Sequence, residues 1–346
     1  MIIFKKIERK GKKFIFKVLQ FILKPESLSQ QRLKRIKNVI IVRIDERLGN
    51  VVLITPVIKS FLKNNINVTV IAASKFSQLL QTIKNIEIIE FNKKKFFNPL
   101  YLIKFIFYIR RKKYDLLFDA SNPNDMSTLT FFMILFLRAD IKIGFLRKNS
   151  ELILNICVPL PEKEIHITDY YKILFKKLRL KYLSEVKISL PQDIKKRYIN
   201  LRKEFKNREL VAVHPGGRGN KQWQVSKLLK LLELIKRDYK KYNFIIIIGP
   251  LEKRLKDIFS RRGYKIVSPV DVIDLASYFS ICKIFIGNDS GPMHLASALG
   301  LKIVAVFKDT AKIHFKPKAA KYRIISASHP SFISVKQVFN AFKAIQ

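Results

Sequence analysis

The sequence predicts an α/β fold built as two successive doubly wound units, and three observations carry that prediction. Apolar runs of strand length alternate with amphipathic segments of helix length. Glycine-rich or polar turns follow immediately after several of those runs. A strongly charged stretch at residues 184–207 separates one such series from another. Strands spaced by helices pair in parallel, and such sheets bind ligands at their strand carboxyl ends.

The first series occupies residues 38–183. NVIIVRID is an apolar run fit for a central strand, ERLGNVVLITPVIKSFLKN a turn and helix, and NVTVIAA the next strand. KFSQLLQTIKN reads as a helix, EIIEF as a strand and FNPLYLIKFIFYIRRKK as a long helix mixing aromatic and basic residues. YDLLFDAS, STLTFFMILFLR and IKIGF then give strand, buried helix and strand. The charged connection at 184–207 reads as helical, with Pro191 early in it.

The second series occupies residues 208–330. ELVAVHPGG is strand and glycine turn, KQWQVSKLLKLLELIKRDY a helix, NFIIIIGP a strand, LEKRLKDIFSRRG a helix and YKIVSP a short strand. After the helix DVIDLASYFSIC comes FIGNDSGPMHLASALGLKIVAVF, read as strand, polar turn, short helix and strand. Asp289 or Ser290 can cap that helix, Pro292 suits its first turn and Gly300 its end. Residues 331–346 form a final amphipathic helix with Val335, Val338, Phe339 and Phe342 on one side.

Residues 1–37 stand apart. They mix Lys and Arg with apolar residues, and the nearly uncharged core Val18 to Leu23 falls far short of the roughly 20 residues that cross a bilayer. Two readings stand: a basic amphipathic helix on an anionic membrane face, or a helix packed on the first domain.

At 346 residues the chain can bury two cores, and its 48% apolar and 27% charged content is that of a globular protein. The 68 Lys and Arg against 26 Asp and Glu give a net charge of +42. Such a field attracts polyanions: nucleic acid, an anionic membrane surface or phosphorylated glycolipids. No nucleic-acid motif accompanies the charge, so nucleic acid is not an expected partner. Cys157 and Cys282 lie far apart in apolar sequence and read as buried free thiols. His166, His214, His294, His314 and His329 are scattered without metal-ligand spacing, so neither metal nor cofactor is expected.

Four turns after strands could carry chemistry: Asp45 to Asn50, His214 to Gly217 with Arg218 and Lys221, Gly249 to Glu252, and Asn288 to His294. At the last, a helix N-terminus presents unpaired N–H groups and the positive dipole end to an anion, and His294 can add a donor. Gly216 and Gly217 allow close backbone approach to a phosphate, Lys221 supplies a point charge, and Glu252 can accept from ribose hydroxyls. Each turn alone also fits an ordinary crossover, and Trp223 fits a core anchor. Three in one α/β domain point to a nucleotide-sized anion. The sequence contains no GxGxxG fingerprint, GxxxxGK[ST] loop or GxSxG elbow, which disfavours a nicotinamide dehydrogenase, a P-loop NTPase and an α/β-hydrolase.

Four segments, IIVRIDERLGNVVLITPVIKSF, IHITDYYKILFKKLRL, VAVHPGGRGNKQW and FIGNDSGPMHLASALGLKIVAVF, give the chain a resemblance to the ADP-heptose:lipopolysaccharide heptosyltransferases, glycosyltransferase family 9. The likeness covers Asn38 to about Phe307, and the last segment is its most specific part. It implies a GT-B fold, two Rossmann-like domains facing a cleft, with the final helix packing back on the first domain. It implies an inverting, metal-independent transfer from a nucleotide-sugar, ADP-heptose by default, to a lipopolysaccharide-core or other lipid-linked acceptor. The enzyme would sit peripherally on the inner face of a bacterial cytoplasmic membrane.

The resemblance places Lys221 on the donor phosphate or sugar and Glu252 on the ribose. It places Asp289, Ser290, Gly291 and His294 around the pyrophosphate, with Gly216 and Gly217 beside it. The sequence departs from the family at Gly49-Asn50, where the family typically reads Gly-Asp with the Asp proposed as general base. An amide cannot take the acceptor's proton. Three readings remain open: Asp45 or Glu46 is the base; Asn50 only orients the acceptor while leaving-group stabilisation drives the reaction; or the chain is a catalytically impaired, membrane-attached relative that binds sugar-nucleotides.

Overall fold

The computed structural model describes residues 36–346 apart from residue 207. The expectations for the N-terminal extension therefore fall almost wholly outside the described residues. The first unit runs β1 (Asn38–Arg43), α1 (Leu48–Leu53), α2 (Thr55–Lys63), β2 (Asn67–Ala73), α3 (Ser77–Gln81), β3 (Ile86–Phe91), α4 (Pro99–Arg110), β4 (Lys113–Asp119), α5 (Thr128–Phe136), β5 (Arg138–Phe145), β6 (Ile156–Val158) and α6 (Ile167–Lys177). Its strands form one parallel six-stranded sheet in the order β3-β2-β1-β4-β5-β6. The predicted single helix after β1 is two helices. Pro56 lies at the start of α2, where a missing N–H costs nothing, and the chain breaks at Ile54.

The connection holds α7 (Gln192–Lys196) and α8 (Leu201–Glu204) and is packed against both domains. Val186, Ile188 and Leu190 are buried, the Ile188 N–H donates to the Ala298 carbonyl at 2.8 Å, and Tyr198 stacks on Tyr278 with centroids 3.9 Å apart.

The second unit runs β7 (Glu209–His214), α9 (Val225–Asp238), β8 (Tyr242–Ile247), α10 (Lys256–Ser260), β9 (Lys265–Val267), α11 (Val272–Ser280), β10 (Cys282–Asn288), α12 (Gly291–Ala298), β11 (Lys302–Lys308), α13 (Asp309–Phe315), β12 (Tyr322–Ala327) and α14 (Val335–Lys343). Its parallel sheet has the order β12-β11-β10-β7-β8-β9. Each sheet thus reverses its winding once, between β1 and β4 in the first and between β7 and β10 in the second. A crevice opens at the strand carboxyl ends at each reversal, and both candidate half-sites lie there.

The last helix corrects one expectation. Val338 and Phe342 of α14 are buried with Val211, Leu228, Ile235 and Tyr242, a cluster drawn wholly from the second unit, and α14 does not pack back on the first domain. The hydrophobic complement to its apolar face lies next door on α9 and β12, and a capping box from Ser334 and Gln337 fixes its entry. The two units instead meet through one continuous buried cluster containing Leu48, Val51 and Val52 from α1 and Met293 and Leu295 from α12.

Candidate active site at the seam of the two sheets

The structure brings the turns that follow β7 and β10 together. β7 and β10 are neighbours with His214 opposite Gly287, so the turns that follow them lie side by side. Ser290 is the residue that caps α12, accepting from the Met293 N–H at 3.4 Å, and Asp289 is left free of that duty. The buried Asp289 carboxylate pairs with Lys221 Nζ at 2.5 Å. Lys221 keeps 37% of its side chain exposed, so its remaining donors are open to solvent.

His294 lies in the first turn of α12 and is buried. Burial lowers its pKa to about 4; the Asp289 charge opposes that shift and Lys221 adds to it. The ring is therefore a neutral imidazole at neutral pH. It packs on Gly49 of α1: a Cβ added there would stand 2.8 Å from His294 Cδ2. A Cβ at Gly291 would reciprocally stand 2.9 Å from the Leu48 Cβ. Two glycines, one on each helix, thus permit the closest approach of the domains.

Gly216 has a use the sequence does not announce. The space its missing side chain leaves is filled by the Glu252 carboxylate and by His214 Nε2, and Gly249 borders the same carboxylate. At Gly217 a side chain would press on the backbone of Gln222. In the structure these glycines make room for protein groups. His214 donates from Nδ1 to the Ile247 carbonyl at 3.1 Å. Burial pushes its pKa down against the pull of Glu252, so it stays neutral beside that carboxylate.

Across the seam, Asp45 and Asn50 form one unit. Asn50 Nδ2 donates to Asp45 Oδ1 at 2.8 Å, and buried Arg43 pairs with Asp45 Oδ2 at 2.7 Å. Both Asp45 oxygens are thereby oriented. Glu46 is half-buried and makes no hydrogen bond or ion pair among the described residues. Among those residues no group of three or more His, Cys, Asp or Glu is placed to hold a metal ion.

Comparison with known proteins names this arrangement. The model of "Glycosyltransferase family 9 (heptosyltransferase)" matches residues 102–340, more than two-thirds of the chain. The chain belongs to glycosyltransferase family 9. Lipooligosaccharide heptosyltransferase 2 of Campylobacter jejuni subsp. jejuni serotype O:2 is 26% identical over 184 residues, 47% of this chain and 55% of that relative. The match thus spans about half the length of the curated relative. Among solved structures, a glycosyl transferase family 9 protein from Veillonella parvula superposes with a TM-score of 0.77 at 18% identity, covering 89% of this chain and 96% of the other. ADP-heptose lps heptosyltransferase II of E. coli gives 0.72 at 16% identity, covering 89% and 98%. Those likenesses show the GT-B fold, and the two parallel sheets agree with it.

Several residues of this family 9 chain take roles that no local pattern signals. Asn288, in the polar turn, donates from Nδ2 to the Pro215 and Gly216 carbonyls at 3.1 and 2.9 Å and accepts from the Trp223 N–H at 3.0 Å. It fixes the β7 turn and the Lys221 loop relative to β10. Trp223 is buried, as a core anchor should be, and its indole N–H donates to the Ile333 carbonyl. In the first domain, Asp119 pairs with Arg147, both buried, and Arg43 donates to the Ala120 carbonyl and the Tyr171 hydroxyl besides its ion pair with Asp45. His166 caps α6 and donates from Nε2 to the Lys316 carbonyl at 3.0 Å, a second tie between the domains. Only contacts distant in sequence reveal these roles.

Proposed function

We propose that this chain is an inverting glycosyltransferase that moves a sugar, heptose from ADP-heptose by default, to a lipopolysaccharide-core or other lipid-linked acceptor at the cytoplasmic face of a bacterial membrane. The observation that carries the reading is the packing of α1, just after the oriented carboxylate of Asp45, against α12, whose N-terminus lies beside Lys221 and Asp289. The acceptor oxygen attacks the anomeric carbon while the bond from that carbon to the diphosphate oxygen breaks. Asp45 takes the acceptor proton, and Asn50 holds Asp45 in place. Lys221, the N–H groups of Gly291 and its neighbours, and neutral His294 as donor meet the charge that collects on the departing diphosphate. Asp289 orients Lys221, and Glu252, backed by Gly216 and Gly249, accepts from ribose hydroxyls. These groups ask for no metal.

A second reading rests on Asn50 standing where the family holds an acid: a sugar-nucleotide-binding relative without turnover. Incubating the protein with ADP-heptose and an extracted lipopolysaccharide acceptor, and following ADP release, separates the two. Acceptor-dependent release is expected; ADP-heptose binding with no release from any acceptor would establish the second reading instead.

A further inference from the structure

α4 presents an apolar surface that no part of the described fold covers. Its sequence, PLYLIKFIFYIR, is apolar on nearly every side, yet it buries only Phe105 and Ile109. Leu100 is 69% exposed, Ile103 51% and Phe107 67%, spaced three and four apart so that they share one stripe, and Phe97 just ahead of the helix is 88% exposed. A soluble helix of a crossover normally turns such a stripe inward.

The charge around the stripe has one sign. Residues 91–114 carry eight Lys or Arg and no Asp or Glu. Among the described residues, Lys112 pairs with Glu87 and Lys113 with Asp140, while Lys93, Lys94, Lys95, Lys104, Arg110 and Arg111 take no ion pair. Cations therefore stand at both ends of an exposed aromatic and aliphatic strip. That is the complement of the boundary between anionic headgroups and acyl chains in a bilayer. A second copy docking two-fold on this face would bring its cations against identical cations. Residues 1–35 carry charge of the same sign, eleven Lys or Arg against two acidic residues.

The placement has a direction. A crossover helix in a parallel sheet runs antiparallel to its strands, so the start of α4, with Phe97 and Lys93 to Lys95, stands at the strand carboxyl ends. Asp45 and Asn50 follow β1 at that same edge. We propose that α4 and the 93–97 turn form a docking surface for an anionic phospholipid bilayer, holding the mouth of the first-domain crevice at headgroup level. Delivery of a lipid-linked acceptor gives the contact its purpose and rests on the reading above; the contact itself stands without it.

The test uses the full chain and vesicles of phosphatidylglycerol and phosphatidylcholine in equal parts, with and without brominated acyl chains. Phe107→Trp puts an indole in the stripe at its carboxyl-terminal end, while the native Trp223 is buried in the other domain and serves as the reference. Brominated lipid is expected to quench the added indole severalfold and to leave the parent's emission unchanged. The triple variant Leu100→Ser, Ile103→Ser, Phe107→Ser alters only exposed side chains, and it is expected to bind these vesicles about 100-fold more weakly at an unchanged melting temperature. Binding of the parent should also weaken as salt rises. Vesicle-bound Phe107→Trp with an unquenched indole would move the contact to another part of the chain and overturn the proposal. So would absence of binding to anionic vesicles, or a lipid-free dimer of the parent that the triple variant abolishes. ADP release measured with detergent-dispersed acceptor reads the transfer reaction separately, so failure of either idea is told from failure of the other.

Discussion

Replacing His294 by Gln should flatten the acid dependence of stability by an amount that the burial of the ring sets. The imidazole is neutral in the fold because burial lowers its pKa from 6.5 to about 4. Between those values the unfolded chain binds a proton that the folded chain refuses, so stability falls as pH drops through this window and is complete above it. At pH 5 the ring is almost fully protonated when unfolded and one-tenth protonated when folded, which costs about 2 kcal/mol relative to neutral pH. His294→Gln removes that loss while keeping a polar side chain of similar reach. Urea unfolding of parent and variant at pH 7 and pH 5 gives four free energies. The parent's drop between the two pH values should exceed the variant's by about 2 kcal/mol. Any constant cost of the substitution cancels, as does most of the contribution of His166, whose pKa is lowered to about 3 chiefly by burial and Lys318 and only to a lesser degree by His294. Equal drops, or a parent that gains stability on acidification, would refute the assignment of a buried neutral imidazole at the seam.

Three other substitutions probe the site and its support. Lys221→Ala removes the exposed donors and leaves the Asp289 carboxylate buried without its partner; initial rates of ADP release should fall about 10²- to 10³-fold with the circular dichroism spectrum preserved. Asp45→Asn keeps the contact with Asn50 within reach but removes the proton acceptor, so the same assay should lose about 10²- to 10⁴-fold, and a loss below tenfold would transfer the role to Glu46. Asp119→Ala strands the Arg147 guanidinium inside the first domain and should lower unfolding free energy by about 3–5 kcal/mol, read by urea titration at pH 7.

The sequence made legible what is local. Strand, turn and cap signals over FIGNDSGPMH narrow the helix start to Asp289 or Ser290 with His294 in its first turn, because a cap and a proline at the first turn leave few other geometries. The apolar runs identified the central strands, which are buried on both faces. Edge strands were harder: YRIISA of β12 is half-exposed and carries no continuous apolar signal, and β6 is only three residues long. The break in the helix after β1 was written in Pro56, which has no N–H to continue the ladder to the carbonyl four residues back and whose ring crowds that carbonyl. Contacts that depend on sheet register were beyond reach. Arg43 meets Asp45 locally, but its bonds to Ala120 and Tyr171 arise only once β4 lies beside β1. The destination of α14 turned on which neighbour held the matching apolar face, and an amphipathic pattern names no neighbour.

The Gly49–His294 contact also makes the angle between the two domains a chemical variable. The Gly49 contact shuts solvent from one side of the imidazole, so parting α1 from α12 would hydrate the ring and raise its proton affinity. A proton and a closed hinge therefore compete for one residue. Mild acid would then favour a wider seam, and whatever draws the helices together would expel a proton as it does so.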